Sequence, residues 1–297
     1  MSYYKKYNRV VDDDLLKFMG EQESQYLIKP KELTELVIAR FDYKKIENKG
    51  YPLPWSKTHN FFRLRKNEIT LWAGYSSSGK STLLGMIAAW GLKQKWLIAS
   101  MEMKPEITIE RMVKQIAGTE NPTNEYIEKT MDWIHPNLTI YDQDYIVKSE
   151  KILALVRYAA EYQFDHIVID SLIMCGIRKQ DFDGQSEFVE KLCWLKKKHP
   201  IHIHLVHHLR KDQASKNENK IPSRSDIRGA SEITDLVDNV IIIHKIKTKK
   251  SEKDHDCVFK VDKQRNYSWE GSFGFWFHPC GQFTGDQHKL MTHWINI

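Results

Sequence analysis

From Phe61 onward, short apolar and β-branched runs alternate with longer stretches whose apolar residues return every three or four positions. The first kind suits strands buried on both faces, the second amphipathic helices. Strands are expected at "EITLWAG" (68–74), "KWLIASM" (95–101), "NLTIYD" (137–142), "HIVIDSL" (166–172) and "IHIHLVHH" (201–208). Helices are expected between them at "STLLGMIAAWGL" (81–92), "EITIERMVKQIAG" (106–118), "SEKILALVRYAAEYQ" (149–163) and "SEFVEKLCWLKKK" (186–198). That alternation predicts an α/β fold with a mostly parallel sheet and helices on both faces. "DCVFKV" (256–261) and the aromatic run "FGFWFHP" (273–279) read as later core strands. Ahead of this body, residues 1–50 are charged and mixed, with one helix, "PKELTELVIARF" (30–41). Its Leu33, Leu36, Val37 and Phe41 share a face behind Pro30. "ENKGYPLPW" (47–55) breaks the pattern and reads as a linker, so the expected division is a short helical segment at 1–50 and one large domain at 51–297.

The stretch "GYSSSGKST" (74–82) lies between the first strand and the first helix. Gly74, Gly79, Lys80 and Ser81 fit G-x-x-x-x-G-K-[ST], a phosphate-binding loop. Glycines let the chain wrap so that backbone N–H groups face the β-phosphate, the lysine reaches the β/γ oxygens, and the Ser81 hydroxyl takes a Mg²⁺ position. The loop residues Ser76, Ser77, Ser78 and Thr82 complete the cradle.

Two carboxylates stand where they can serve that loop. Asp170 ends "HIVID" at the carboxyl edge of the expected sheet, where open α/β sheets bind ligands, and can hold the metal beside Ser81. Glu102 ends the strand after the loop helix and can polarise an attacking water.

Composition changes this picture little. The net charge of +6 permits nucleic-acid contact, and the four scattered cysteines form no C-x-x-C pair. No apolar run approaches the roughly 20 residues of a membrane span, and the N-terminus has no signal-peptide core. A soluble protein of a reducing cytoplasm is expected, in a cell or in the host of a phage, without membrane contact.

Together these motifs resemble the RecA-fold hexameric replicative helicases of the DnaB type, especially the helicase half of phage primase-helicases and mitochondrial Twinkle. The resemblance runs from about Gly50 to Gly285. "GYSSSGKST" and "HIVIDSL" are similar to the family's two nucleotide motifs, and "SMEM" to the strand bearing its catalytic glutamate, Glu102 here. "LVHHLRK" is similar to the family's γ-phosphate sensor, which falls on His208. "KVDKQRN" is similar to the segment carrying a lysine and an arginine finger two residues apart, Lys263 and Arg265. "SDIRGASEITDLVDNVIII" matches a family segment except that Ala230 precedes Ser231 where the family has serine directly after Arg-Gly. The resemblance implies a RecA-like ATPase using ATP or another nucleoside triphosphate with Mg²⁺. It also implies a homo-oligomer, a hexameric ring, in which Arg265 serves the neighbouring subunit. Single-stranded DNA would be the partner, with a separate primase or polymerase possible beside it. With only about 55 residues ahead of the motor and no zinc-binding cysteines there, primase activity is not expected.

"LRKDQASKNENKIPSRSDIR" (209–228) is too long for a structural connection. Its Arg210, Lys216, Lys220, Arg224 and Arg228 supply positive charge for phosphates. In the resembled family this loop lines the central channel. "GIRKQDFDGQ", with Arg178 and Lys179, is a second candidate channel loop. The histidines of "IHIHLVHH" have no carboxylate or cysteine at metal spacing and read as packing or hydrogen-bonding residues, and "KLCWLKKKH" as the solvated basic end of a helix.

Overall fold

In the computed structural model, the alternating pattern forms one large sheet whose central strands are buried on both faces. Residues 27–42, 49–143, 146–178, 180–210, 220–229, 231–249, 251 and 254–293 are described. The chain divides into two units, Met1–Lys49 and Gly50–Ile297.

Among the described residues of the second unit, nine strands line up in the order β11-β10-β9-β8-β3-β7-β6-β4-β5. The six from β8 to β5 run parallel: β3 (Ile69–Gly74), β4 (Trp96–Ser100), β5 (Leu138–Tyr141), β6 (His166–Asp170), β7 (His202–His208) and β8 (Asn239–Lys245). Three antiparallel strands extend one side: β9 (Cys257–Gln264), β10 (Gly271–Phe277) and β11 (Phe283–Thr284). Every residue of β3, β4 and β6 is buried, as the unbroken apolar runs require. Each face of the sheet carries its own core. On one side Trp72, Ile98, Val168 and Ile241 meet helices α2 (Lys80–Trp90), α3 (Pro105–Ala117) and α4 (Asn124–Ile134). On the other, Leu71, Ile169, Leu205 and Ile242 meet α5 (Ser149–Glu161), α6 (Phe182–Lys198) and α7 (Ser231–Leu236). All four cysteines are free thiols.

Four expectations need correction. The supposed linker is structural: β1 (Tyr51–Pro52) pairs with β2 (Arg63–Leu64), Leu53 and Trp55 enter the core, and the Trp55 indole N–H donates to the Phe283 carbonyl at 2.5 Å. Helix α4 fills a stretch where no element was expected. Thr123 caps it by accepting the Tyr126 N–H, and Glu125 pairs with Lys129 one turn on. Helix α6 starts at Phe182 rather than Ser186, because Asp181 caps it through the Gly184 N–H at 2.9 Å. In the first unit, the helix expected over 30–41 is a 3-10 turn, Pro30–Leu33, followed by α1 (Thr34–Arg40). Leu36 is 65% and Phe41 66% exposed.

Candidate active site

Strand order decides which residues can meet. β3, β7, β6 and β4 are consecutive and parallel, so their carboxyl ends share one edge. In register, Gly74 lies beside His208 and Ser100 beside Asp170, with Glu102 two residues past Ser100. The four motifs, distant in sequence, therefore converge.

The loop after β3 is built to hold an anion. Gly79 has φ +90° and precedes α2, whose first turn has no side-chain cap, so its N–H groups stay open to a phosphate. A Cβ at Gly74 would come within 2.7 Å of the Ile243 carbonyl, and one at Gly79 within 2.9 Å of the Phe283 ring, so both positions require glycine. Ser77 also takes a positive φ, 62°. The Ser78 hydroxyl is buried without a partner. Lys80 Nζ donates to the Gly74 and Tyr75 carbonyls, both at 3.0 Å, curling the ammonium back over the loop. Burial lowers its pKa, against the pull of the Asp170 and Glu102 carboxylates.

Asp170 is buried, and that burial pushes its carboxyl up while the Ser81 side chain beside it and the charge of Lys80 favour the ionised form. This pair, a hydroxyl and a carboxylate facing the loop, is a donor set suited to Mg²⁺. Glu102 accepts a hydrogen bond from the Ser171 hydroxyl. The same carboxylate oxygen lies 3.7 Å from His208 Nε2, too long for a hydrogen bond. The neighbouring imidazole, with Ser171 and Lys80, holds the Glu102 carboxyl below the usual range against its partial burial. Such a group is ionised at neutral pH, as a base must be. Ser171 was not foreseen. Its hydroxyl directly follows Asp170, and only the pairing of β4 with β6 brings it to Glu102.

Residues next to His208 reach the basic loop. The His207 ring donates through Nε2 to the Arg228 carbonyl, and burial lowers this histidine to about 4. Arg228 N donates to the His208 carbonyl at 3.0 Å, and Leu209 bridges Ile227, so both ends of the loop are pinned to the end of β7. Arg178, Arg210, Lys220, Arg224 and Arg228 are exposed around these connections. Arg210 donates to the Gly229 carbonyl at 3.2 Å and the Arg224 N–H to Asp262 at 2.6 Å. A cavity of 660 Å³ lies between the start of α6 and this loop, lined by Phe182, Arg210, Arg224, Ser231 and Thr234 among others. No residue of the phosphate loop lines it. Lys179 and Lys216 lie outside the described residues, as does Ala230.

Lys263 and Arg265 stand elsewhere. β9 runs antiparallel to β8, with Gln264 opposite Asn239 and Asn239 opposite Thr70 at the start of β3. They therefore sit at the amino edge, ~13 Å of strand away from Gly74. Lys263 Nζ donates to the Thr234 and Asp235 carbonyls at 2.7 and 2.8 Å, and Arg265 to Asp235 at 2.6 Å. One further expectation fails at this edge. Lys196, assigned to a solvated helix end, is buried and paired with Asp238.

The profile of the DnaB-like helicase C terminal domain family matches residues 60–279. Among solved structures, an ATPase domain superimposes with TM-score 0.71 at 16% identity, covering 84% of this chain and 97% of that one. A DnaB-like replicative helicase, solved for its interactions with primase, gives TM-score 0.70 at 15% identity over 94% of this chain and 75% of that chain. The KaiC-like protein PH0186 of Pyrococcus horikoshii gives 0.51 at 14% identity, over 74% and 89% of the two chains. At these identities the likeness is one of fold, a RecA-like core. No curated protein matches the chain in sequence.

Proposed function

The chain belongs to the DnaB-like helicase C-terminal domain family, and from that premise we propose that it is an ATP-driven replicative-type DNA helicase, assembled as a ring around single-stranded DNA. The observation that carries this reading is the convergence of Lys80, Ser81, Asp170, Glu102 and His208 on one sheet edge, beside an uncapped helix N-terminus. Bound Mg-nucleotide would supply the phosphoanhydride whose cleavage drives movement. Lys80 and the first N–H groups of α2 hold phosphate charge, and Ser81 with Asp170 hold the cation. Glu102 takes a proton from water, kept ionised by its neighbours. His208 sits between that carboxylate and the basic loop, so a change at the γ-phosphate position passes along β7 to Arg210 and Arg228. Lys263 and Arg265 act on the nucleotide of the next subunit of a hexameric ring; their distance from their own phosphate loop supports the action in trans. Arg178, Lys179, Arg210, Lys216, Lys220 and Arg224 grip the DNA backbone in the cytoplasm, where a separate primase or polymerase is a possible partner. No helix among the described residues is long and apolar enough to cross a membrane.

The testing experiment is fork unwinding by the full chain with ATP and Mg²⁺, beside Lys80→Ala. The wild type should unwind and hydrolyse, and the variant should do neither while binding nucleotide weakly. Strand exchange without fork unwinding would identify a recombinase instead, and nucleotide binding without turnover a switched loading module.

A further inference from the structure

Asp238 lies at the turn between α7 and β8 and is buried. One carboxylate oxygen accepts the Ile69 N–H, the first of β3, at 2.7 Å and also pairs with Lys196. The other faces Arg265 Nη1 at 3.4 Å. The main chain ties the same residues together: Asp238 N donates to the Ile69 carbonyl at 3.1 Å, and Arg265 N to the Asp238 carbonyl at 3.1 Å. A guanidinium has five N–H donors in a rigid fork. Here Nη1 faces Asp238 and Nη2 donates to Asp235, while 50% of the side chain remains exposed. Each Nη atom thus spends one N–H within the chain, which leaves three of the five donors on a half-exposed side chain.

We propose that Asp238 is the positioning residue of Arg265. Its carboxylate, anchored to β3 through the Ile69 N–H, holds the guanidinium so that its remaining donors meet phosphate oxygens bound by a second copy of the chain. This rests on the reading of Arg265 as a finger acting in trans. It adds a link between sites, because the strand whose first N–H is held by Asp238 ends at Gly74 in the chain's own phosphate loop. The competing role for Asp238 is local: it neutralises the buried Lys196 ammonium and does nothing for turnover.

The experiment is a double-mutant cycle on the full chain, reading DNA-stimulated ATP turnover, nucleotide KM, assembly and melting temperature. Asp238→Asn keeps an acceptor for the Ile69 N–H but loses the charge that orients Arg265. Its kcat should fall about tenfold, the effect of losing one charge-assisted contact, with KM and assembly unchanged. In an Arg265→Ala background the same change should have no further effect, since Asp238 acts only through that side chain. The cycle is repeated in Lys196→Met, which removes the ammonium that Asp238→Asn would strand. Lys196→Met alone should keep turnover within about twofold, because that side chain reaches neither Arg265 nor phosphate. Additive losses, or the full defect in Lys196→Met alone, would overturn the proposal in favour of the local role. Normal turnover in Asp238→Asn with a dead Arg265→Ala would overturn it and leave the trans finger standing. Full turnover in Arg265→Ala would remove both.

Discussion

The two edges of the same sheet are chemically opposite. At the carboxyl edge, backbone donors at the start of α2 and the Ser78 hydroxyl lack protein partners, and Lys80, Asp170 and Glu102 crowd together with charges that a ligand would balance. At the amino edge most polar groups are engaged with one another, although His166 Nε2, Asn239 Oδ1 and Gln264 Oε1 are buried without partners. The Trp72 indole donates to His204 Nδ1 at 3.1 Å, which leaves His204 Nε2–H to donate to His166 Nδ1 at 3.0 Å. His202 is held between Thr70, at 2.9 Å, and the Arg65 carbonyl, at 2.5 Å, and Trp96 stacks on His166 at 3.9 Å. The difference teaches where each edge spends its polar groups: one leaves them for a substrate, the other uses them to lock strands in register. Lys263 and Arg265 are the exception, cations at the locked edge with nothing of their own site to act on.

The strongest way to break this contrast is at Glu102. Glu102→Gln removes the base but no phosphate contact, so turnover should fall roughly 10²-fold or more while nucleotide binding persists. A collapse of binding would make Glu102 structural. Ser171→Ala tests the same carboxylate more gently. Loss of its donor raises the Glu102 pKa, so the acidic limb of the kcat/KM profile should move to higher pH. An unmoved limb would show that Ser171 only packs.

Next in size is the acid sensitivity of the locked edge. Burial lowers His202 to about 4 from 6.5, and holds His166 and His204 well below 6.5 too. These rings are neutral in the fold and take protons on unfolding, so stability is present above pH 6.5 and is lost as pH falls toward 4. His202 alone contributes up to about 1.4 kcal/mol per pH unit in that window. Denaturant melts at pH 7, 6 and 5 should show the midpoint dropping steadily, and a flat response would mean that these rings are charged in the fold.

Much of this was legible along the chain, for identifiable reasons. The phosphate loop, Asp170 and Glu102 follow apolar strands directly, and local pattern is enough to find a strand end. His202 and His204 are the hydrogen-bonding residues their strand suggested, but the partners in the amino-edge network were not legible because they lie far apart: Lys196 and Asp238 are 42 residues distant, and His166 and His204 are 38. A lysine in "LKKK" reads as solvated until the partner is placed beside it. Ser171 escaped for the same reason, since its acceptor comes from a neighbouring strand. Helix α4 was missed although its signals are local: Thr123 as cap, Glu125 in the first turn, and apolar positions at Ile127 and Ile134.

The smallest expected effect concerns the basic loop. Lys216→Ala with Lys220→Ala should weaken binding of single-stranded DNA and flatten its salt dependence by a slope of about 0.7 per lost contact. DNA-free hydrolysis should stay near normal. An unchanged slope would show lysines that merely face solvent.

The central claim is that one working site takes its phosphate loop from one subunit and its arginine from the next. Mixing Lys80→Ala with Arg265→Ala, each nearly inactive alone, and measuring ATP turnover across mixing ratios tests it most directly. Mixed assemblies contain interfaces where an intact Lys80 meets an intact Arg265, so activity should reappear and peak at intermediate ratios. Absence of any rescue despite demonstrated co-assembly, or full activity in Arg265→Ala alone, would contradict the account.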